Sequence, residues 1–188
     1  MSKTDSIKSK ALYIQNVNEK RIKKFINDIQ KNKSEFYEAC PSEENINVWY
    51  VKIKNLAEEY EGGVYYMKIH FTEKYPFEPP DYFMLTPSGR FQINSKICLS
   101  NSGYHSESWS ALWGINQIIM GMISFFYERK SEGISHVIDI DESIALEYIQ
   151  KYKNYDNMYS TANDRKQYAK KSVNYNKKHL ADIEKLFI

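Results

Sequence analysis

The sequence predicts an α+β domain: an N-terminal helix, an antiparallel meander sheet of about four strands, an irregular loop, a buried central helix and C-terminal helices. Three observations carry this prediction. Apolar residues at helical spacing mark both ends of the chain, β-branched and aromatic runs occupy residues 47–85, and no helical stretch separates these runs. Strands joined by turns rather than by crossover helices pair antiparallel.

Length and composition fit one folded domain. The chain has 188 residues, 42% of them hydrophobic and 15% aromatic, so it can bury a substantial core and is not disordered. We expect a flexible N-terminus over residues 1–12 and a single domain over residues 13–188 that ends in a helical extension. The net charge of +2 gives no support to nucleic-acid binding.

The first predicted element is an amphipathic helix over residues 11–33, with Asn18 as a candidate cap. Three basic residues of this helix, Arg21, Lys23 and Lys24, lie away from its apolar stripe. On composition alone they form an ordinary solvated face. The stripe itself consists of Ile14, Val17, Ile22, Phe25, Ile26 and Ile29.

Three strands are predicted next, at residues 47–54, 64–71 and 81–85. The first is β-branched and aromatic, and the third is short, aromatic and flanked by prolines. The pair Gly62-Gly63 indicates a turn before the second strand. In that second strand, the residues predicted to share one face are Tyr65, Met67, Ile69 and Phe71.

Three helical segments are predicted after an irregular, proline-braced loop. The first, at residues 115–126, is apolar nearly all round and should be largely buried. The second, at residues 141–159, is a weaker candidate that is rich in tyrosine and lysine. The third spans residues 163–188, and the residues that carry its helical spacing are Tyr168, Ser172, Asn176, Leu180, Ile183 and Phe187.

The irregular loop contains Cys98, the only plausible nucleophile of the chain, with His105 following in the same loop. A lone cysteine between Ile97 and Leu99 is more often a buried apolar residue than a nucleophile. The residues alone therefore leave both interpretations open. The four histidines are scattered, so no metal site is predicted.

Cysteine usage and hydropathy indicate a reducing compartment. Cys40 and Cys98 are the only cysteines and lie far apart, which does not make a disulfide scaffold. The sequence shows no secretory leader and no run of about 18 apolar residues, so we expect no membrane span in this chain.

The loop motifs resemble those of the ubiquitin-conjugating enzymes. Tyr-Pro-Phe-Glu-Pro-Pro at 75–80 is followed by Ile-Cys-Leu at 97–99 and by Trp109, as in that family. More narrowly, Thr-Pro-Ser-Gly-Arg-Phe at 86–91 with Ile-Cys-Leu-Ser at 97–100 is similar to the endoplasmic-reticulum-associated, Ubc6-like or J-type branch. The predicted order of helix, meander, loop and helix also resembles the family's fold.

The resemblance covers residues 17–137 and resumes at residues 164–172. It implies that Cys98 accepts the C-terminal carboxyl of ubiquitin as a thioester from an activating enzyme and passes it to a substrate or a ligase. The chemistry agrees, because a thiolate is both a good nucleophile and a good leaving group. The implied enzyme has no cofactor of its own, since the activating enzyme uses the ATP.

The same resemblance implies where partners bind. Phe77 matches the phenylalanine that contacts RING-type ligases, and Ala111 and Leu112 match the second contact loop. The alternatives are core packing for Phe77 and a plain helix lead-in for the other two. The family usually has proline where this chain has Ala111, so the identity of the ligase stays open. The residues implied to dock the activating enzyme are Arg21, Lys23 and Lys24.

Two further residues acquire catalytic roles by resemblance. Ser88 stands where the branch has an asparagine. That asparagine either donates a hydrogen bond to the oxyanion of the tetrahedral intermediate or braces the loop. A serine hydroxyl can donate too, although its reach is shorter. His105 stands where the branch also carries a histidine. Its unperturbed pKa of about 6.5 suits a base for transfer to serine or threonine hydroxyls as well as to lysine. The alternative is that His105 only packs or caps the loop.

Three other functions are weighed against this one. An inactive variant that binds ubiquitin or a ligase typically lacks the cysteine, and conjugation of a ubiquitin-like modifier would use the same chemistry. An unrelated thiol hydrolase using Cys98 and His105 would need the cysteine at a helix start. The branch's usual membrane-spanning tail is absent, so we expect a soluble homologue or a trimmed chain. Such a protein is cytoplasmic, at the endoplasmic-reticulum surface if an anchor was removed.

Overall fold

The computed structural model describes residues 3–91, 93–97, 109–127 and 162–184. Four α-helices, four strands and one 3-10 helix lie in these ranges. The helices are α1 (Lys3–Lys31), α2 (Ile115–Ser124), α3 (Ala162–Lys178) and α4 (Leu180–Glu184), with the 3-10 helix at Glu58–Tyr60. The strands are β1 (Tyr37–Pro41), β2 (Val48–Ile53), β3 (Tyr65–His70) and β4 (Asp81–Met84).

The four strands form one antiparallel sheet in chain order, β1-β2-β3-β4, which confirms the predicted meander. Val51 of β2 lies opposite Ala39 of β1 and Met67 of β3. The residues of β1 had no individual strand prediction. Its composition explains this, because Glu38 and Pro41 disfavour strands and Pro41 is tolerated only at the end of an edge strand.

One face of the sheet carries the core. Trp49, Val51 and Ile53 alternate along β2 with half-buried residues and are themselves fully buried. Phe25 of α1 packs edge-on against Trp49, with ring centroids 6.3 Å apart. The inward face predicted for residues 64–71 is confirmed, since Tyr65, Met67, Ile69 and Phe71 are all buried.

The first helix differs from its prediction in two respects. It begins at Lys3 rather than at residue 11, because no proline or glycine interrupts residues 3–31. Asn18 does not cap it. This residue is buried in the middle of α1, where its Nδ2 donates a hydrogen bond to the Thr72 carbonyl at 3.1 Å. That tertiary contact supplies the partner that a cap would have found in the backbone.

The predicted central helix is confirmed by α2, whose apolar side chains are largely buried. The predicted final helix is present but interrupted, because α3 ends at Lys178, His179 forms a turn and α4 follows. The weaker helix predicted for residues 141–159 lies outside the described residues. Within the described ranges, every helix is too short or too polar to cross a bilayer.

Candidate functional site

Trp109 connects the proline-rich loop at residues 75–80 to the loop that leads into α2. Its indole Nε1 donates to the Pro76 carbonyl at 2.8 Å. Its ring packs against Tyr75 at 6.0 Å and against Trp113 at 5.4 Å between centroids. The proline-rich segment after β3 and the segment that leads into α2 therefore meet at one end of the molecule.

Two apolar side chains on these tied loops point into solvent. Phe77 is 57% exposed and Leu112 is 86% exposed. Ala111, which precedes Leu112 in the same loop, is half-buried. Core packing therefore does not account for Phe77. Exposed aromatic and aliphatic side chains that are held on braced loops are typical of protein-contact surfaces. Their role as ligase contacts stays a prediction.

The three basic residues of α1 have different surroundings. Arg21 is half-buried, and its Nη2 donates to the Trp113 carbonyl at 3.1 Å, which ties α1 to the lead-in of α2. Lys23 is exposed and lies 3.6 Å from Glu19, and Lys24 is exposed as well. The two lysines can meet a partner directly, whereas Arg21 also has a role inside the fold. Docking of the activating enzyme by all three stays a prediction.

The turn at residues 86–91, referred to below as the 86–91 turn, is buried throughout. Thr86 Oγ1 accepts a hydrogen bond from the Tyr66 N–H of β3 at 2.8 Å. Ser88 Oγ accepts the N–H groups of Arg90 and Phe91, both at 3.2 Å. Gly89 has a φ of +74°, a left-handed conformation that favours glycine. The turn is thus shaped by its own side chains and by one neighbouring strand.

These contacts bear on the two roles weighed for Ser88. A serine hydroxyl has two acceptor lone pairs and one proton to donate. Ser88 is fully buried, and its oxygen already accepts from Arg90 and Phe91. The geometry therefore favours bracing of the loop, and donation to an oxyanion stays a prediction.

Arg90 is a structural residue that the sequence analysis did not single out. Only 2% of it is exposed, and its Nε donates to the Phe125 carbonyl at 3.0 Å, where α2 ends. A buried arginine gives no signal in hydropathy patterns, because arginines are mostly exposed. The contact fastens the 86–91 turn to the end of α2 and satisfies a carbonyl that the helix leaves open.

Asn176 of α3 was predicted only as a position on a helix, yet it also reaches the 86–91 turn. Its Nδ2 donates to the Pro87 carbonyl at 2.8 Å, and only 1% of the residue is exposed. The turn therefore contacts β3, α2 and α3. Its polar atoms find partners in three elements that are distant in sequence.

Cys98 and His105 lie outside the described residues, so nothing tests their predicted roles. The chain is described up to Ile97, which is buried and whose N–H donates to the Tyr82 carbonyl at 2.9 Å. Just before it, Lys96 bridges to Phe83 of β4 in the backbone. The segment that enters Cys98 is thus anchored along β4.

The other cysteine is on the sheet. Cys40 is exposed as a residue on β1, yet partial desolvation of its side chain raises the pKa of the thiol. A raised pKa lowers the thiolate fraction at neutral pH and with it the reactivity of the thiol. Among the described residues, no three histidine, cysteine or acidic side chains come together as metal ligands.

Comparison with protein families matches residues 21–163 to a model described as "Ubiquitin-conjugating enzyme". The matched range contains the 86–91 turn, Cys98 and His105. It begins inside α1 and ends just after the start of α3. The match therefore covers both the sheet and the loop that carries the candidate site.

Three curated relatives share 40–43% of their aligned residues with this chain. "Ubiquitin-conjugating enzyme E2 32" of Arabidopsis thaliana is 41% identical over 107 residues, 56% of this chain and 35% of its own length. "Ubiquitin-conjugating enzyme E2 J2-like" of Dictyostelium discoideum is 40% identical over 127 residues, 67% of this chain and 75% of its own length. "Ubiquitin-conjugating enzyme E2 6" of Schizosaccharomyces pombe is 43% identical over 107 residues, 56% of this chain and 47% of its own length.

The aligned part therefore spans from about a third to three quarters of these relatives. A solved structure, "Structure of human Ubiquitin-conjugating enzyme E2 G1", aligns with a TM-score of 0.49 and 24% identity over 57% of this chain and 92% of its own. At that similarity the assignment rests on the sequence matches rather than on the superposition.

Proposed function

The chain belongs to the ubiquitin-conjugating enzyme family, in its Ubc6-like or J-type branch, and from this premise we propose that it carries ubiquitin as a thioester on Cys98. One observation carries the proposal: the family match spans residues 21–163 and so includes Cys98 with its flanking motifs. The anchoring of Ile97 along β4 supports it, because a reacting thiol needs a fixed approach. Incubation with an activating enzyme, ubiquitin and ATP tests it.

The proposed reaction is two acyl transfers. The Cys98 thiolate attacks the ubiquitin carbonyl that is held as a thioester on the activating enzyme, a new C–S bond forms, and the activating enzyme's thiolate leaves. An acceptor amine or hydroxyl then attacks the same carbonyl, the Cys98 thiolate leaves, and the acceptor's proton passes to a base. The energy of ATP is spent on the activating enzyme, so the proposal includes no cofactor for this chain.

The proposed partners are ubiquitin, the activating enzyme and a RING-type ligase. We assign the ligase to the exposed Phe77 and to Ala111 and Leu112 of the second loop. We assign the activating enzyme to Lys23 and Lys24, with the half-buried Arg21 beside them. We propose a cytoplasmic site of action, free or at the endoplasmic-reticulum surface, because the loop motifs resemble those of the endoplasmic-reticulum-associated branch.

Removing the apolar side chains of the ligase surface should weaken ligase-stimulated transfer selectively. Phe77 and Leu112 are 57% and 86% exposed, so Phe77→Ala and Leu112→Ala should leave the fold intact. Truncation of an interface hot spot costs about 2 kcal/mol, roughly thirtyfold in affinity. We expect discharge in the presence of a responsive RING-type ligase to fall by about that factor, while discharge without ligase keeps its rate.

Leu12→Ala is the matched control, because Leu12 is 59% exposed on α1 and lies outside the proposed surface. It should respond to the ligase like the wild type. Titration of the ligase against charged enzyme measures the effect. An unchanged ligase response in both Phe77→Ala and Leu112→Ala would contradict the assignment of this surface.

A second acceptor class follows from His105. A hydroxyl is a far weaker acid than an ammonium group, so transfer to serine or threonine needs a base in the transition state, and a histidine suits that task near neutral pH. We propose that charged enzyme discharges to free serine or threonine as well as to lysine. His105→Ala should lower hydroxyl transfer about a hundredfold and lysine transfer much less.

The matched control for His105 is His70→Ala, a histidine on β3 that is remote from the loop in sequence. It should discharge to all three amino acids at the wild-type rates. Single-turnover discharge, followed by the loss of the thioester band, provides the measurement. Discharge to lysine alone, or equal loss of both activities in His105→Ala, would remove the hydroxyl mechanism.

A further inference from the structure

We propose that Asn176 of α3 is a positioning residue for ubiquitin transfer, which it serves by fixing the 86–91 turn through the Pro87 carbonyl. This inference rests on the proposed function and extends it to a helix far from Cys98 in the chain. The hydrogen bond from Asn176 Nδ2 to the Pro87 carbonyl is 2.8 Å long and spans 89 positions of sequence. Both residues are buried.

The contact has no substitute within the turn. Proline has no N–H, so the carbonyl is the only backbone hydrogen-bonding group of Pro87. A buried carbonyl that loses its donor costs free energy comparable to a lost hydrogen bond. On the other side, the Oδ1 atom of Asn176 accepts no hydrogen bond from the described residues, so the bond to Pro87 orients the amide. The turn can keep this pairing only in its present position relative to α3.

The helix that presents Asn176 is itself packed into the fold. Ala169 and Val173 of α3 belong to the buried core, and Ser172, one turn before Asn176, is 1% exposed. The buried side of α3 thus carries the residues at i, i+3, i+4 and i+7 that a packed helix uses. Asn176 therefore acts from a rigid support rather than from a surface helix.

Three elements converge on the turn. Thr86 is bonded to β3, Arg90 to the end of α2 and Pro87 to α3. Ser88 sits between these anchors and accepts the N–H groups that close the turn. If the Ser88 segment faces the tetrahedral intermediate, a displacement of about 1 Å is enough to slow transfer substantially. Loss of the Asn176 bond releases one of the three anchors.

The test compares Asn176→Ala with Val173→Ala. Both changes remove buried atoms of α3, but only the first removes the donor to Pro87. We expect Asn176→Ala to lower the single-turnover rates of charging and of discharge by about tenfold, since both steps pass through a tetrahedral intermediate at Cys98. KM for free lysine should not change. Val173→Ala should keep both rates, although it lowers the melting temperature.

Hydrogen exchange gives a readout that does not depend on catalysis. The N–H groups of Arg90 and Phe91 are bonded to Ser88 Oγ inside the turn. In Asn176→Ala they should exchange at least several-fold faster, and in Val173→Ala they should stay protected. If Asn176→Ala does not fold, Asn176→Leu replaces it at a similar side-chain volume, because leucine has no group that can donate a hydrogen bond to Pro87.

A double variant provides a further test. Ser88→Ala and Asn176→Ala both act on one turn, so the combined loss in rate should be smaller than the product of the single losses.

Wild-type rates in Asn176→Ala, or an equal fall in Val173→Ala, would overturn the inference. If the wild type forms no adduct with ubiquitin, the proposed function fails. Exchange at Arg90 and Phe91 then still decides whether Asn176 holds the turn, and unchanged exchange overturns it.

Discussion

Replacement of Cys98 by alanine is expected to abolish the ubiquitin adduct completely. The proposed thioester has no other sulfur to form on in this loop. Wild-type enzyme, incubated with activating enzyme, ubiquitin and ATP, should give a gel band that reductant removes. Cys98→Ser should give a reductant-resistant oxyester or no adduct, because an alkoxide is a poorer leaving group and forms less readily than a thiolate.

Cys40→Ser is the matched control for this experiment. Cys40 lies on β1, and partial burial raises the pKa of its thiol, so less of it is thiolate at neutral pH. We expect Cys40→Ser to form the wild-type adduct at the wild-type rate. Loss of the adduct in Cys40→Ser, with the adduct retained in Cys98→Ala, would reject Cys98 as the acceptor.

The same assay separates the other proposed functions. A panel of activating enzymes, each with its own modifier, shows whether ubiquitin or a ubiquitin-like protein is the cargo. A chain that binds ubiquitin or a ligase without forming any adduct would be the inactive variant. Cleavage of a ubiquitin thioester in the absence of an activating enzyme would instead indicate a thiol hydrolase.

Ser88→Ala is expected to destabilise the protein and to slow both chemical steps together. The change leaves the buried N–H groups of Arg90 and Phe91 without their acceptor, which costs about 1–3 kcal/mol. The midpoint of denaturant unfolding measures this loss. Since the geometry favours bracing, charging and discharge should slow by similar factors, because the whole turn relaxes.

Ser88→Asn is the informative partner of that variant. Its side-chain oxygen can accept the same turn N–H groups in an Asx-type arrangement, and its amide adds a donor. We expect stability close to that of the wild type and a discharge rate that is preserved or raised. The opposite result for Ser88→Ala, a loss of about a hundredfold in discharge with charging intact, would show that Ser88 is an oxyanion donor.

The strands show where sequence patterns were sufficient. Burial alternates along β2 and along β3 from Met67 onward, which is a local property, and the four residues predicted to share the inward face of the 64–71 segment are all buried. Tyr66 of β3 is buried as well, which the alternation does not predict. β1 could not be predicted in the same way, because its five residues include glutamate and a terminal proline. Residues 37–41 form a strand because they pair with β2 at the edge of the sheet, and this pairing is a tertiary contact.

Asn18 shows how a local rule fails for a physical reason. Asparagine favours helix caps because its side chain competes for nearby backbone groups. Here the side chain instead binds the Thr72 carbonyl, 54 positions away, and the helix continues through it to Lys3. No local pattern announces a partner at that distance.

The sequence by itself determined the family and carries the proposal for the chemistry. The motifs around residues 75–80, 86–91 and 97–100 marked the ubiquitin-conjugating enzymes and singled out Cys98, since thioester chemistry depends on residue type and on motifs that are contiguous in the chain. Each motif is contiguous in the chain, so it can be recognised before the fold is known.

Only the tertiary structure decided how the 86–91 turn is held. The burial of Ser88, the bond from Arg90 to the Phe125 carbonyl and the bond from Asn176 to Pro87 join residues up to 89 positions apart. The reason is physical: whether a polar side chain faces water or a buried carbonyl depends on which distant element packs over it.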